Sequence, residues 1–160
     1  MSVHKFPEPS PLNDVAEFHQ TFNLPIVETP AIPGKDRCTL RINLLQEELD
    51  ELREAIEDND LIEIADALCD LQYVLSGAIL EFGLGAKFKT LFEEVQRSNM
   101  SKVCEDLDIA NQTLAHYQDR DGTEGFIKKS DSGFLVYRTT DNKVLKSVTY
   151  SPADLKSLLP

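Results

Sequence analysis

Residues 44–82, LLQEELDELREAIEDNDLIEIADALCDLQYVLSGAILEF, read as two long helices joined by a tight acidic turn at Asp58-Asn59-Asp60. Leu45, Leu49, Leu52 and Ile56 recur at spacings of four, three and four on the first helix, which makes one apolar stripe. Leu61, Ile64, Leu68, Leu71, Leu75 and Phe82 do the same on the second. Neither stripe accounts for the carboxylates. Glu47, Glu48 and Glu51 cluster on the first helix, and Glu63, Asp66 and Asp70 follow along the second. With the turn centred on Asp58-Asn59, antiparallel partners lie at equal sequence distances from it. Glu51 is then expected opposite Asp66, Glu47 opposite Asp70 and Glu54 opposite Glu63, successive pairs being one turn, about 5 Å, apart.

Carboxylates stacked at that distance repel and raise each other's pKa unless something positive sits between them. Asp66 and Asp70 lie among Ile64, Ala65, Ala67, Leu68, Cys69 and Leu71, neighbours that penalise bare charge. A hard divalent cation held by oxygen ligands resolves both difficulties. A solvated acidic face is the plainer alternative. Asp60-x-x-Glu63 is a capping box that suffices to explain Glu63, and Arg53–Glu57 is available as an i, i+4 pair. For Glu47, Glu51, Asp66 and Asp70, the apolar setting of the two aspartates favours the metal.

Glu47-Glu48-x-x-Glu51 followed by Glu63-x-x-Asp66 resembles the signature of the all-α nucleoside triphosphate pyrophosphohydrolases, the MazG-like and phosphoribosyl-ATP pyrophosphohydrolase-like group. Arg97-Ser98-Asn99-Met100-Ser101-Lys102 resembles the segment after the fourth helix in its phosphoribosyl-ATP pyrophosphohydrolase-like branch. Lys143-Val144-Leu145-Lys146-Ser147 and Tyr150-Ser151-Pro152-Ala153-Asp154-Leu155 are similar to that branch's C-terminal tail. The resemblance implies an all-α bundle of four to five helices completed by dimerisation, with Mg²⁺ or Mn²⁺ as cofactor. It implies metal ligation by Glu47, Glu48, Glu51, Glu63, Asp66 and Asp70, with Glu47 or Glu48 orienting or deprotonating the attacking water. Substrate contacts would come from Arg97, Asn99, Lys102, Lys146 and Tyr73. One departure concerns spacing: the gap of eleven residues between Glu51 and Glu63 is at the short end for the family. Aligned on Leu71-Gln72-Tyr73-Val74 instead, the family aspartate falls on Asp70, with Ala67 where its glutamate would stand and Asp66 substituting from one residue earlier.

The reaction so implied is Mg-dependent hydrolysis of (deoxy)nucleoside triphosphates, such as dUTP, to a monophosphate and pyrophosphate, of the house-cleaning type. Two alternatives stand beside it. One is phosphoribosyl-ATP hydrolysis in histidine synthesis, which a C-terminal β meander foreign to the minimal enzyme speaks against. The other is a non-enzymatic helical module that binds metal structurally or serves oligomerisation. No Ser-His or Cys-His pair and no Gly-rich phosphate loop points to another hydrolase mechanism.

A length of 160 residues fits one domain, and 41% hydrophobic with 28% charged residues is a globular composition. The net charge of -12 argues against nucleic acid or an anionic membrane as partner. Cys38, Cys69 and Cys104 show no metal spacing. Cys69, inside an apolar helix, reads as core, and the odd count suggests a reducing compartment. The N-terminus MSVHKFPEPSP lacks an apolar signal core, and Ile64–Phe82 carries Asp66, Asp70 and Gln72, so a cytoplasmic protein with no membrane span is expected.

Along the chain, residues 1–10 read as an extended arm, and Ser10-Pro11 starts a helix with Val15, Phe18 and Phe22 on its apolar face. His19 beside that face suits a core or surface position better than base stacking. Residues 24–36, with Pro25, Pro30, Pro33 and Gly34, form a long loop of the kind that makes a lid or site wall. Asp36 is expected to cap the first acidic helix, Arg37 to Glu57, and its partner runs from Leu61 to Phe82. Gly77 leaves room on the carboxylate face. Phe88, Leu91, Phe92 and Val95 mark a fourth helix, and residues 105–117 a fifth. Residues 125–128, 133–138 and 144–148 then read as three short strands, and residues 153–159 as a last helical turn. The expected division is a helical core, 1–117, and a tail, 118–160, packed on it. The apolar stripes call for a homodimer or larger homo-oligomer.

Overall fold

The computed structural model describes residues 4–159, so Met1–Val3 of the expected arm lie outside the described residues. Five α-helices come first: α1 (Pro11–Thr21), α2 (Lys35–Glu57), α3 (Leu61–Glu81), α4 (Phe88–Met100) and α5 (Leu107–Asp121). A hairpin of β1 (Gly125–Ser130) and β2 (Gly133–Arg138) follows. This is the expected helical protein with a small antiparallel β appendage. The described chain forms two compact units, residues 5–88 and residues 89–159 with His4, so α4 groups with α5 and the hairpin.

In the first unit, α1 and α2 both pack on α3. Proline opens α1 at N1, where its fixed φ suits a helix start and no N–H is lost. The α2–α3 turn is built by Asn59 at φ 55°, a left-handed conformation that asparagine tolerates. Asp60 caps α3, its Oδ1 accepting from the N–H groups of Ile62 (2.9 Å) and Glu63 (3.2 Å). Among the described residues, no hydrogen bond returns from the Glu63 side chain, so the expected capping box is one-sided and Glu63 keeps its carboxylate. Asp36 does not cap α2; Gly34 holds that position and the helix starts at Lys35. The expected Arg53–Glu57 pair is likewise replaced by Arg53–Asp50 at 2.6 Å.

The loop of residues 24–36 is strapped to the end of α3. Val27 N–H donates to Leu80 O and Ala31 N–H to Phe82 O, both at 3.0 Å. Gly83 sits at φ 68°, and a Cβ there would lie 2.0 Å from Thr29 O, so only glycine permits this approach.

Beneath the strap is a buried ion network. Glu81 is 1% exposed and accepts from Arg37 Nε at 3.0 Å, from Arg37 Nη2 and from Arg41 Nη2. His19 is core: Pro25 O lies 2.7 Å from its Nδ1, and a carbonyl only accepts, so Nδ1 carries the proton. Nε2 then accepts from Arg41 Nη2 at 3.1 Å. Burial alone would push the Glu81 carboxyl up, but hydrogen bonds and charge from Arg37 and Arg41 outweigh it and hold it below 4.5. A depressed folded-state pKa means stability that is present above the unfolded value and lost as pH falls through the folded one. Glu81→Ala, which strands two arginines, is expected to cost about 3–5 kcal/mol. Urea denaturation from neutral to acid pH checks both points. A variant as stable as the parent at neutral pH would show that the network carries no stability.

In the second unit, Cys104, Ala110, Tyr117, Val136 and Leu145 form the core. Cys104 is therefore the buried cysteine, and Cys69, expected in the core, is exposed. The fifth helix begins at Leu107 rather than 105, because Asp106 caps it through Ile109 N–H (2.8 Å). It continues to Asp121, past the expected end at 117, and stops where Gly122 turns left-handed at φ 70°. The third expected strand is reduced to one bridge, Tyr137 with Val144. Past Leu145 the chain leaves β2, and the N–H groups of Lys146 and Val148 donate to Tyr117 OH and Thr113 Oγ1 on α5, both at 3.1 Å. The expected last turn, 153–159, lies at 156–158, where Asp154 Oδ1 takes the Ser157 N–H.

Candidate active site

Three pairs fix the register of α2 on α3. Arg37 meets Glu81, Arg41 packs on Gly77, and the strongest charge acting on Glu48 is that of Asp70. All three are centred on Asn59. The turn thus lies half a residue beyond the expected centre, and the residue matched with Asp70 is Glu48 where the spacing alone indicated Glu47.

Glu48 is the half-buried member of the acidic row; Glu47, Glu51, Glu63, Asp66 and Asp70 are exposed. Its carboxyl is pushed up first by burial, then by the charges of Asp70, Glu51, Glu47 and Asp66. Four of the other five expected ligands therefore act on Glu48. Glu63 is absent from that set. It lies nearer the turn, lining a cavity of ≈ 470 Å³ with Glu51, Glu54, Asp58, Asp60 and Asp66 over Ala55 and Ala67. Among the described residues, none of the six acidic side chains forms a hydrogen bond or ion pair.

The donor set fits a hard cation: all-oxygen, multiply anionic and, among the described residues, paired with no lysine or arginine. The side chains are not gathered, however. Among the described residues, no three His, Cys, Asp or Glu groups converge as a metal cluster.

One turn from Glu48 and Asp70, toward the N-terminus of α2, a second cavity of ≈ 250 Å³ opens among Phe18, His19, Arg41, Leu44, Tyr73 and Gly77. Tyr73, a sequence-based substrate contact, stands in its wall with its ring edge-on to Phe18 at 5.6 Å. Arg41 was missed by sequence reading. Its signal, an arginine across from a glycine on the partner helix, is visible only once the register is known.

The remaining candidates belong to the 89–159 unit. Lys102 Nζ donates to Asn99 Oδ1 at 2.8 Å. Arg97 forms two hydrogen bonds to Glu94 and one to Pro152 O, all through Nε and Nη2. Glu94, held by Arg97 and by Asp154 N–H, is lowered to about 2. Lys146 Nζ stands 4.3 Å from the centre of the Tyr150 ring. Tyr150, absent from the expected site residues, has its hydroxyl 2.9 Å from Ser98 Oγ. It is shifted down by that hydrogen bond and by Lys146 and Lys102.

Compared with known proteins, residues 15–99 match the family model described as phosphoribosyl-ATP pyrophosphohydrolase. The chain belongs to that family. The matched span runs from α1 to α4 and holds all six acidic residues, Tyr73, Arg97 and Asn99, while Lys102, Lys146, α5 and the hairpin lie beyond it. A relative, "Uncharacterized protein L479" of Acanthamoeba polyphaga mimivirus, is 32% identical over 110 residues. The alignment takes in 66% of this chain and 44% of that protein, so the chain spans less than half of its relative's length.

Proposed function

We propose that the chain is a divalent-cation-dependent pyrophosphohydrolase that cuts a nucleoside triphosphate between its α and β phosphates. The observation that carries this is Glu48, pushed up by burial and four neighbouring carboxylates with no protein cation to relieve it, in a chain of this family. Glu48, Asp70, Glu51, Asp66 and Glu47 would hold Mg²⁺ or Mn²⁺, with Glu63 at the edge of the set. The cation would neutralise phosphate charge and acidify water in the site. Glu47 or Glu48 orients that water and takes its proton. The water oxygen bonds to the α-phosphorus as the bond to the bridging oxygen breaks, so the electron pair leaves with pyrophosphate. Tyr73 borders the substrate; in the 89–159 unit, Asn99, Lys102, Lys146 and Arg97, whose Nη1 no hydrogen bond engages among the described residues, are the groups suited to phosphate oxygens.

Two substrates share this chemistry. The family match favours phosphoribosyl-ATP by its description, and a house-cleaning role on deoxynucleoside triphosphates uses the same bond. Pyrophosphate release from a nucleotide panel, with and without chelator, tests the proposal. Release from no nucleotide with either metal would refute it.

We further place the protein in the cytoplasm as a homodimer or larger. No helix among the described residues is long and apolar enough to cross a membrane. Leu49, Ile56, Leu61, Leu68 and Leu75, members of the two apolar stripes, are exposed in the single chain, and a second copy would bury them. Light scattering is expected to report at least twice 18.0 kDa at micromolar concentration; a monomer would contradict this.

A further inference from the structure

Arg41 holds more hydrogen-bonding capacity than the protein uses. It is 7% exposed, and its Nη2 serves Glu81 and His19. Among the described residues, its Nε is buried with no acceptor, and no hydrogen bond engages its Nη1. A Cβ on Gly77 would lie 2.6 Å from Nη1, so glycine is what leaves this part of the cavity wall to the guanidinium. A buried cation with unspent N–H groups is costly. The wall contains no Asp, Glu, Asn or Gln to accept from them, and the acceptor nitrogen of His19 is already taken. Phe18, Tyr73 and Leu44 supply flat apolar surface. The space thus suits a flat ring whose leading edge accepts hydrogen bonds.

Leu44 and Val74 in this wall stand one helical turn, about 5 Å, from Glu48 and Asp70. A nucleotide with phosphates at the carboxylate row would reach the cavity with its base. Its sugar is attached at one side of the ring, so the opposite edge enters first. There uracil and thymine present O4 and guanine presents O6, all acceptors, whereas cytosine and adenine present an amino donor.

Resting on the pyrophosphohydrolase reading, we infer that Arg41 is a specificity-determining residue that admits 4-keto or 6-keto nucleobases and rejects their amino counterparts. Glu81 and His19 position it, and Gly77 gives it room.

The test compares kcat/KM for dUTP, dTTP and dGTP with dCTP, dATP and phosphoribosyl-ATP, which carries nitrogen at C6. A triphosphate of 2-pyrimidinone deoxyriboside, lacking O4, completes the panel. The keto substrates are expected to lead by on the order of 10²-fold or more, because a site built to bond a group rejects ligands without it. The O4-less analogue is expected to behave like dCTP. Equal rates, or a lead for dCTP, dATP or phosphoribosyl-ATP, would overturn the inference and leave the hydrolase reading intact. If nothing is hydrolysed, the hydrolase reading falls, and calorimetric binding of dUMP against dCMP to the full chain still decides on the cavity. Preference for dUMP supports Arg41; equal binding or none overturns it. Arg41→Lys keeps the charge beside Glu81 but removes the forked donors, and Gly77→Ala crowds Nη1. Both are expected to collapse the dUTP to dCTP ratio toward one, with circular dichroism verifying the fold. Should neither variant fold, the unmodified protein's panel is decisive alone.

Discussion

Glu48→Gln is expected to lower the rate of pyrophosphate release by on the order of 10³-fold, as for loss of a positioned acid–base group, without lowering the stability of the metal-free protein. The two halves of this expectation share one cause. The Glu48 carboxyl is pushed up, first by burial and then by Asp70, Glu51, Glu47 and Asp66. A raised folded-state pKa contributes stability below the unfolded value, near 4.5, and that contribution is lost as pH rises through the folded value. At neutral pH the charged residue therefore strains the hairpin. Glutamine keeps the shape and removes the charge, so the metal-free melting temperature should hold or rise. The same change deprives a cation of its central ligand, so Mg²⁺ should stabilise the variant less than the parent. Thermal melts with and without Mg²⁺, beside the rate assay, check the pair. A variant that keeps the parent's rate, or keeps its full stabilisation by Mg²⁺, would remove Glu48 from the site.

Asp70→Asn should be nearly as damaging, a loss of on the order of 10²-fold or more, whereas Glu63→Gln should retain most activity. Asp70 is the foremost charge acting on Glu48, and Glu63 is not among those charges. Glu63 lies toward the turn, with its backbone N–H held by Asp60, and glutamine there preserves the cap. The literal family motif, Glu63-x-x-Asp66, implies the reverse order. Steady-state rates and Mg²⁺ titration of both variants decide between them. An inactive Glu63→Gln beside a near-normal Asp70→Asn would mean the literal motif is right and the register reading wrong.

The helices, the acidic turn and the carboxylate row were legible because each rests on local periodicity and capping chemistry. The register was legible only to within one residue. Equal distances from Asp58-Asn59 gave Glu47 opposite Asp70, and the left-handed Asn59 moved the match to Glu48. The third strand was not legible: residues 144–148 alternate as a strand does, yet two of their N–H groups are claimed by Tyr117 and Thr113. No window of sequence announces hydroxyls on a distant helix as partners. The same holds for Arg37, Arg41, His19 and Glu81, ordinary polar residues in sequence that become one buried network when α1, α2 and α3 meet. Arg97 is a further case: no local pattern announces that its Nε and Nη2 meet Glu94 and the distant Pro152 carbonyl. Which residues of an apolar stripe face this chain is also invisible in periodicity: Leu61, on the stripe of α3, is 77% exposed.

The central claim, metal-dependent attack of water at the α-phosphorus by the α2–α3 carboxylate row, is tested most directly by phosphorus NMR of turnover in oxygen-labelled water. With Mg²⁺ or Mn²⁺ and the preferred nucleotide of the panel, the label is expected in the nucleoside monophosphate, with unlabelled pyrophosphate as the other product. Label in pyrophosphate or in inorganic phosphate, or no turnover of any nucleotide with either metal, would contradict it.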